Sequence, residues 1–293
     1  MIKDDHKSGY VALIGKPNVG KSTLMNALIG QKLSIVTRKA QTTRHRVLGI
    51  LTDEDSQTIF LDTPGIMQPH TSLDQLMMQK VKESVADTDL VVFLADARAP
   101  EPDLQSLETI VDQPTILVLN KIDIVRPETM LPVLEAYHQL RSFEALIPIS
   151  ALTGENLQSL QAEIQSFLPK GPPFYPPEMI SEHPERFFVA EIIREKVFEQ
   201  FRQEVPYCST VTIANFEERA ENKDLIEADI VVERPSQKGI LIGAKGHALK
   251  SIGIAARRDI EAFLNREVYL KLFVRVRKDW RNRDHFLRSF GYK

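Results

Sequence analysis

Tyr10-Val-Ala-Leu-Ile14 followed by Gly15-Lys-Pro-Asn-Val-Gly-Lys-Ser22 is the stretch on which the fold of the first half turns. The apolar run reads as a buried strand, and the residues from Lys21 on read as the start of a helix. The turn between them fits G-x-x-x-x-G-K-[ST] in the strand-to-helix context that gives this pattern its meaning. Gly15 and Gly20 let the backbone bend so that successive N–H groups converge on phosphate oxygens, and the helix N-terminus reinforces them. Lys21 supplies a point charge to the β and γ phosphates, and Ser22 offers a hydroxyl to Mg²⁺. Lys16, Pro17, Asn18, Val19 and Thr23 complete the expected nucleotide-binding stretch. The plain alternative is a glycine-rich turn without a ligand.

Working outward, Thr58-Ile-Phe-Leu61, Leu90-Val-Val-Phe-Leu94, Thr115-Ile-Leu-Val-Leu119 and Leu146-Ile-Pro-Ile149 are near-continuously hydrophobic, as buried parallel strands are. Helix-length segments alternate with them, which predicts a parallel-dominated α/β sheet with helices on both faces. Asp62-Thr-Pro-Gly65 follows one such strand. It places the Asp62 carboxylate near the metal, with Thr63 and Pro64 in the same loop and the Gly65 N–H facing the γ-phosphate. Asn120-Lys-Ile-Asp123 follows another. A carboxylate at Asp123 accepts two hydrogen bonds from the guanine N1–H and exocyclic amine, a donor pair that adenine lacks. Asn120 would tie the base loop to the phosphate loop, the Lys121 stem would lie over the base, and Ser150-Ala151 would give a backbone donor to guanine O6. Between the first helix and Thr58 lies a polar switch segment, Thr37 to Arg44. There Thr43, in preference to Thr42, would complete the Mg²⁺ shell with Ser22 and Asp62 when GTP is bound.

The bulk properties narrow the class. At 293 residues, with 43% hydrophobic and 26% charged residues, the chain suits about two globular domains. The single Cys208 excludes an internal disulfide and suits a reducing cytosol. No apolar stretch is long enough to span a membrane, and the polar N-terminus argues against a classical export signal, so a cytoplasmic protein is expected. The net charge of −3 hides an asymmetry: residues 238–293 carry 14 basic and 5 acidic residues, a local +9, and residues 1–237 carry 23 and 35, or −12. A basic end on an acidic body calls for a polyanionic partner at that end.

Six of the 17 prolines fall between Pro169 and Pro184. This divides the chain into a GTPase domain over 1–169, a Pro-rich linker over 170–186 and an α+β domain over 187–293. In that last domain a helix from about Ala190, two strands, a glycine turn, a helix over His247 to Leu264 and the strand Tyr269 to Val276 are expected. The turn carries G-x-x-G as Gly243-Ala244-Lys245-Gly246, after an apolar run read as strand-like and before a helix bearing Lys250, Arg257 and Arg258. These look like the nucleic-acid clamp of a KH fold, with the glycines admitting the sugar-phosphate chain and Lys245 neutralising it. In the tail, Phe273 reads as a strand-core ring, whereas Trp280 and Phe290 are open between packing and base stacking.

The five nucleotide motifs and the KH-like domain resemble the translation-factor-related GTPases, and the Era family in particular, over essentially the whole chain. The resemblance implies a KH domain that binds single-stranded RNA near the 3′ end of small-subunit ribosomal RNA. A GTP/GDP switch in small-subunit assembly and rRNA maturation is the role it carries. It also implies a monomer that binds RNA and not DNA, with weak peripheral association at the inner face of the cell membrane. Ile66 stands where Ras-type enzymes place a water-orienting glutamine, which implies slow unaided turnover. Catalysis would then rest on Lys21, Thr43, Gly65 and Asn18. Asn18 matches a P-loop asparagine that binds K⁺ in some relatives; it equally suits a turn residue tolerant of unusual backbone angles. The rival to a regulatory GTPase is an RNA-binding assembly factor in which GTP is mainly a structural ligand.

Overall fold

The computed structural model describes residues 5–219 and 222–292. Contacts divide the chain into two compact units. One runs to Ser34 and adds Thr43–Gln68 and Met77–Glu182; the other holds Ile35–Thr42, Pro69–Leu76 and the described residues from His183 on.

The first unit is built from strands β1 (Lys7–Ile14), β2 (Val47–Thr52), β3 (Ser56–Asp62), β4 (Leu90–Asp96), β5 (Thr115–Asn120) and β6 (Ala145–Ile149). They form one sheet in the order β2-β3-β1-β4-β5-β6, parallel throughout except for β2. Helices α1 (Lys21–Ile29), α2 (Ser72–Ala86), α3 (Leu104–Leu107) and α4 (Met130–Leu140) lie between them, and α5 (Leu157–Phe167) follows β6. Val11, Leu13, Phe60, Val92, Phe93 and Leu117 are fully buried, which is why these strands read as unbroken apolar runs. The antiparallel β2 is absent from the sequence expectation. It forms a hairpin with β3 through a turn in which the Asp53 carboxylate accepts from Asp55 N and Ser56 N. The proline-rich stretch is a strap on this edge: Ile50 N donates to Ile180 O, and the Gln57 amide exchanges hydrogen bonds with Phe174 N, Tyr175 N and Tyr175 O. Residues 170–182 thus satisfy backbone groups that an open edge would leave to solvent.

The second unit has α6 (Glu185–Gln200), β7 (Thr210–Glu217), β8 (Asp224–Val232), α7 (Pro235–Ile242), α8 (His247–Leu264), β9 (Val268–Val276) and α9 (Asp284–Ser289). The sheet order is β7-β8-β9, with β8 and β9 parallel. Val189, Ile193 and Val197 of α6 and Ile252, Ala256 and Ile260 of α8 share one core with Ile226, Ala228 and Ile230 of β8. The apolar run before the G-x-x-G turn is a helix, α7, and not the strand its composition suggests. Pro235 enters at the first turn, and the Gln237 side chain accepts from Glu233 N and Arg234 N, capping the helix start. The tail settles one open reading and corrects another. Trp280 is fully buried and donates from Nε1 to Cys208 O, with Tyr292 stacked on it and Phe290 edge-on. Phe273, expected in the core, is 42% exposed beneath the Arg275 guanidinium.

Candidate nucleotide site and nucleic-acid groove

β1, β3, β4, β5 and β6 all point the same way, so their C-terminal ends gather at one edge of the sheet, where α/β folds bind ligands. The first turn there is the glycine-rich loop between β1 and α1. Gly20 adopts φ 109°, and a Cβ on it would stand 2.2 Å from the Asn120 amide nitrogen. Gly65 lies so close to the loop that its Cβ would stand 2.6 Å from Pro17 N. Both close approaches exclude side chains. Asn18 has φ 63°, and its carbonyl accepts from Lys121 Nζ at 2.5 Å.

The buried Lys21 Nζ donates to Gly15 O at 2.9 Å and Lys16 O at 3.0 Å. Burial pushes its ammonium down to about 8, against the upward pull of Asp62 and Asp103. Asp62 is fully buried at the end of β3, and burial raises its carboxyl above the ordinary aspartate value, although a hydrogen bond from Ser22 and the Lys21 charge oppose this. Ser22 Oγ donates to Asp62 Oδ2 at 2.7 Å and lies 2.9 Å from Thr43 Oγ1. The other oxygen, Asp62 Oδ1, is buried without a hydrogen-bond partner. Two hydroxyls and an orphaned carboxylate oxygen form the hard-oxygen set that Mg²⁺ takes alongside phosphates. Thr42, by contrast, turns its hydroxyl to Thr37 and Lys39 O. Thr63 donates to Leu13 O, and Ile66 is buried in the core beside Ala12 and Ile14.

The loop after β5 is tied together by Asn120, whose amide donates to Val19 O at 2.7 Å and accepts from Ala151 N at 2.9 Å. Asp123 Oδ1 accepts from Ser150 Oγ at 2.7 Å, leaving the exposed carboxylate oriented at the loop surface. Two carboxylates here were not singled out from sequence. Asp96 pairs with Lys121 Nζ at 2.7 Å; burial opposes ionisation, but hydrogen bonds from Arg98 and Lys121 hold it well below the usual carboxylate range. Asp103 pairs with Lys16 at 3.3 Å and caps α3. Asp96 ends a parallel strand as Asp62 does, and that position was the available signal.

In the second unit Gly243, Lys245 and Gly246 all have positive φ, a tight turn delivering the chain into α8. A groove of about 380 Å³ beside it is lined by Gly246, Lys250 and Arg257 of the helix side and by Tyr269 and Leu272 of β9. Ala244 and Lys245, in the turn, are exposed but do not line it. Arg258 does not line it and pairs with Asp259 instead.

Comparison with known proteins agrees with this architecture. Residues 10–121 match a family described as 50S ribosome-binding GTPase, and residues 204–281 match the KH domain. The chain is 48% identical over 291 residues to GTPase Era of Syntrophus aciditrophicus (strain SB), covering 98% of this chain and 95% of that protein. This chain belongs to the Era GTPase family. It is also 45% identical to the chloroplastic GTPase ERA1 of Zea mays, over 98% of this chain and 71% of that one. Among solved structures, a variant of Aquifex aeolicus Era bound to GDP.AlF4- matches with a TM-score of 0.93 at 42% identity, covering 98% of this chain and 99% of that chain. Era in complex with MgGDPNP and nucleotides 1506–1542 of 16S ribosomal RNA matches with a TM-score of 0.94 at 42% identity and the same coverage. As an Era-family member the chain is a GTPase with a KH domain. Among the described residues no helix is long and apolar enough to cross a membrane.

Proposed function

We propose that this GTPase binds small-subunit ribosomal RNA through its KH domain and uses its nucleotide state in small-subunit assembly. The working division is a G domain over 1–169, a Pro-rich linker over 170–186 and a KH domain over 187–293. The observation that carries the nucleotide half is the convergence of Ser22 Oγ, Thr43 Oγ1 and the orphaned Asp62 Oδ1 beside Lys21. These three groups would hold Mg²⁺, which when bound neutralises charge on the β and γ phosphates. Lys21 leaves the Gly15 and Lys16 carbonyls for phosphate oxygens, the loop N–H groups from Asn18 to Thr23 cradle the phosphates, and the Gly65 N–H faces the γ-phosphate. Asp123 reads guanine, with Asn120, Lys121, Ser150 and Ala151 fixing its loop. The RNA half rests on the basic groove beside Gly243–Gly246, and on the relative solved with 16S ribosomal RNA.

Ile66 gives a second reading its support: it is buried among core residues and offers no group to orient water, so GTP could serve mainly to hold the fold. Asn18 is assigned to a potassium ion on its place in the loop alone, and the basic tail is assigned to RNA in preference to a membrane surface. Single-turnover GTP hydrolysis with and without a 16S rRNA fragment spanning 1506–1542, in potassium and in sodium, separates these readings. Acceleration by RNA supports the regulatory switch; an unchanged rate favours the structural-ligand reading. Equal rates in both salts remove Asn18 from catalysis.

A further inference from the structure

Resting on the assignment of the groove to RNA, we propose that Gly253 determines what that groove admits: its missing side chain is the space one unstacked nucleobase occupies between Lys250 and Arg257. Glycine inside a helix is disfavoured relative to alanine, and Gly253 lies well within α8. Two internal reasons could excuse it, and neither applies. Its backbone is not among the positive-φ glycines. A Cβ built on it would meet only Leu272 Cδ1, at 3.7 Å, which is ordinary van der Waals contact. Gly20 and Gly65 differ in kind, because there a Cβ would collide with fixed atoms. The protein alone would therefore accept alanine at 253, and what alanine would fill is the groove.

The surroundings fit a base in particular. Lys250 and Arg257, three residues before and four after Gly253, lie on the same helix ridge, so the glycine is a gap between two exposed cations. Ile254 is 57% exposed and Tyr269 55% exposed, both lining the same groove. Cations at both ends with apolar surface between match a splayed base on its sugar-phosphate chain, the form in which single-stranded RNA is read. The test compares the full-length parent, Gly253→Ala and Gly253→Met, each saturated with a non-hydrolysable GTP analogue, for thermal melting and for binding to the 1506–1542 RNA fragment. The expected result is an unchanged or raised melting temperature, with RNA affinity lowered about tenfold or more in Gly253→Ala and further in Gly253→Met, the scale of one lost base contact. Undiminished affinity in both variants overturns the proposal, as does a loss of affinity that tracks a lowered melting temperature. If instead the parent binds no better than a Lys245→Ala/Lys250→Ala double variant, the groove assignment itself fails and takes this inference with it.

Discussion

Nucleotide binding should draw a proton into the site through Lys21. Burial holds this ammonium at about 8 against its ordinary 10.5, and its hydrogen bonds go to two neutral carbonyls, Gly15 O and Lys16 O. The difference corresponds to roughly 3 kcal/mol of disfavoured charge, which phosphate oxygens would relieve. Because the free-state value is depressed and the bound-state value restored, the Lys21 contribution to affinity should be flat below about pH 8. Above that it should fall toward about tenfold per pH unit as the free protein loses a proton that the complex retains. Binding should therefore take up little proton at pH 7 and a substantial fraction of one proton at pH 8.5. Calorimetric titration with GDP in two buffers of different ionisation enthalpy measures this directly, below the range where guanine itself ionises. Asp62, raised by burial, would contribute with the opposite sign at more acidic pH, since a bound metal favours its ionised form. No proton uptake at pH 8.5 would refute the coupling of Lys21 to phosphate.

Asp123→Asn should weaken GTP binding by about 1.5 to 3 kcal/mol, tenfold to more than a hundredfold, through loss of the charged double acceptor; unchanged affinity by fluorescence titration refutes the assignment. Ile66→Ala should cost about 2 to 5 kcal/mol in denaturant melts because the side chain is buried in the core, while single-turnover hydrolysis by the folded fraction stays within a few-fold. A fragment ending at Leu168 should melt below one ending at Glu182, since the strap's bonds to Ile50 and Gln57 are lost; equal melting temperatures would show the strap to be dispensable.

What the sequence determined by itself is the placement of short contiguous runs. The motifs at Gly15–Ser22, Asp62–Gly65 and Asn120–Asp123 each sit at the end of an apolar parallel strand, so local order alone brings these turns to one sheet edge. The G-x-x-G turn and its amphipathic helix were legible for the same reason. Tertiary structure decided whatever depended on partners distant in the chain. Ile240-Leu-Ile242 has the composition of a strand, yet a proline entry and the Gln237 cap make it helical. Trp280 and Phe273 are both aromatic residues in a basic tail; packing against Cys208 and Tyr292 buries the first, while strand alternation on β9 turns the second to solvent. Asp96 and Asp103 acquire meaning only because folding sets them against Lys121 and Lys16. The switch segment shows the limit most sharply. Ile35–Thr42 belongs to the compact unit of α6, where Val36 N donates to Glu195 and Arg194 donates to Thr42 O, while Thr43, one peptide further on, lies against Ser22 in the other unit. No periodicity in a polar loop encodes that division, because the groups that hold it are over 150 residues away and act only once the helix carrying them has folded.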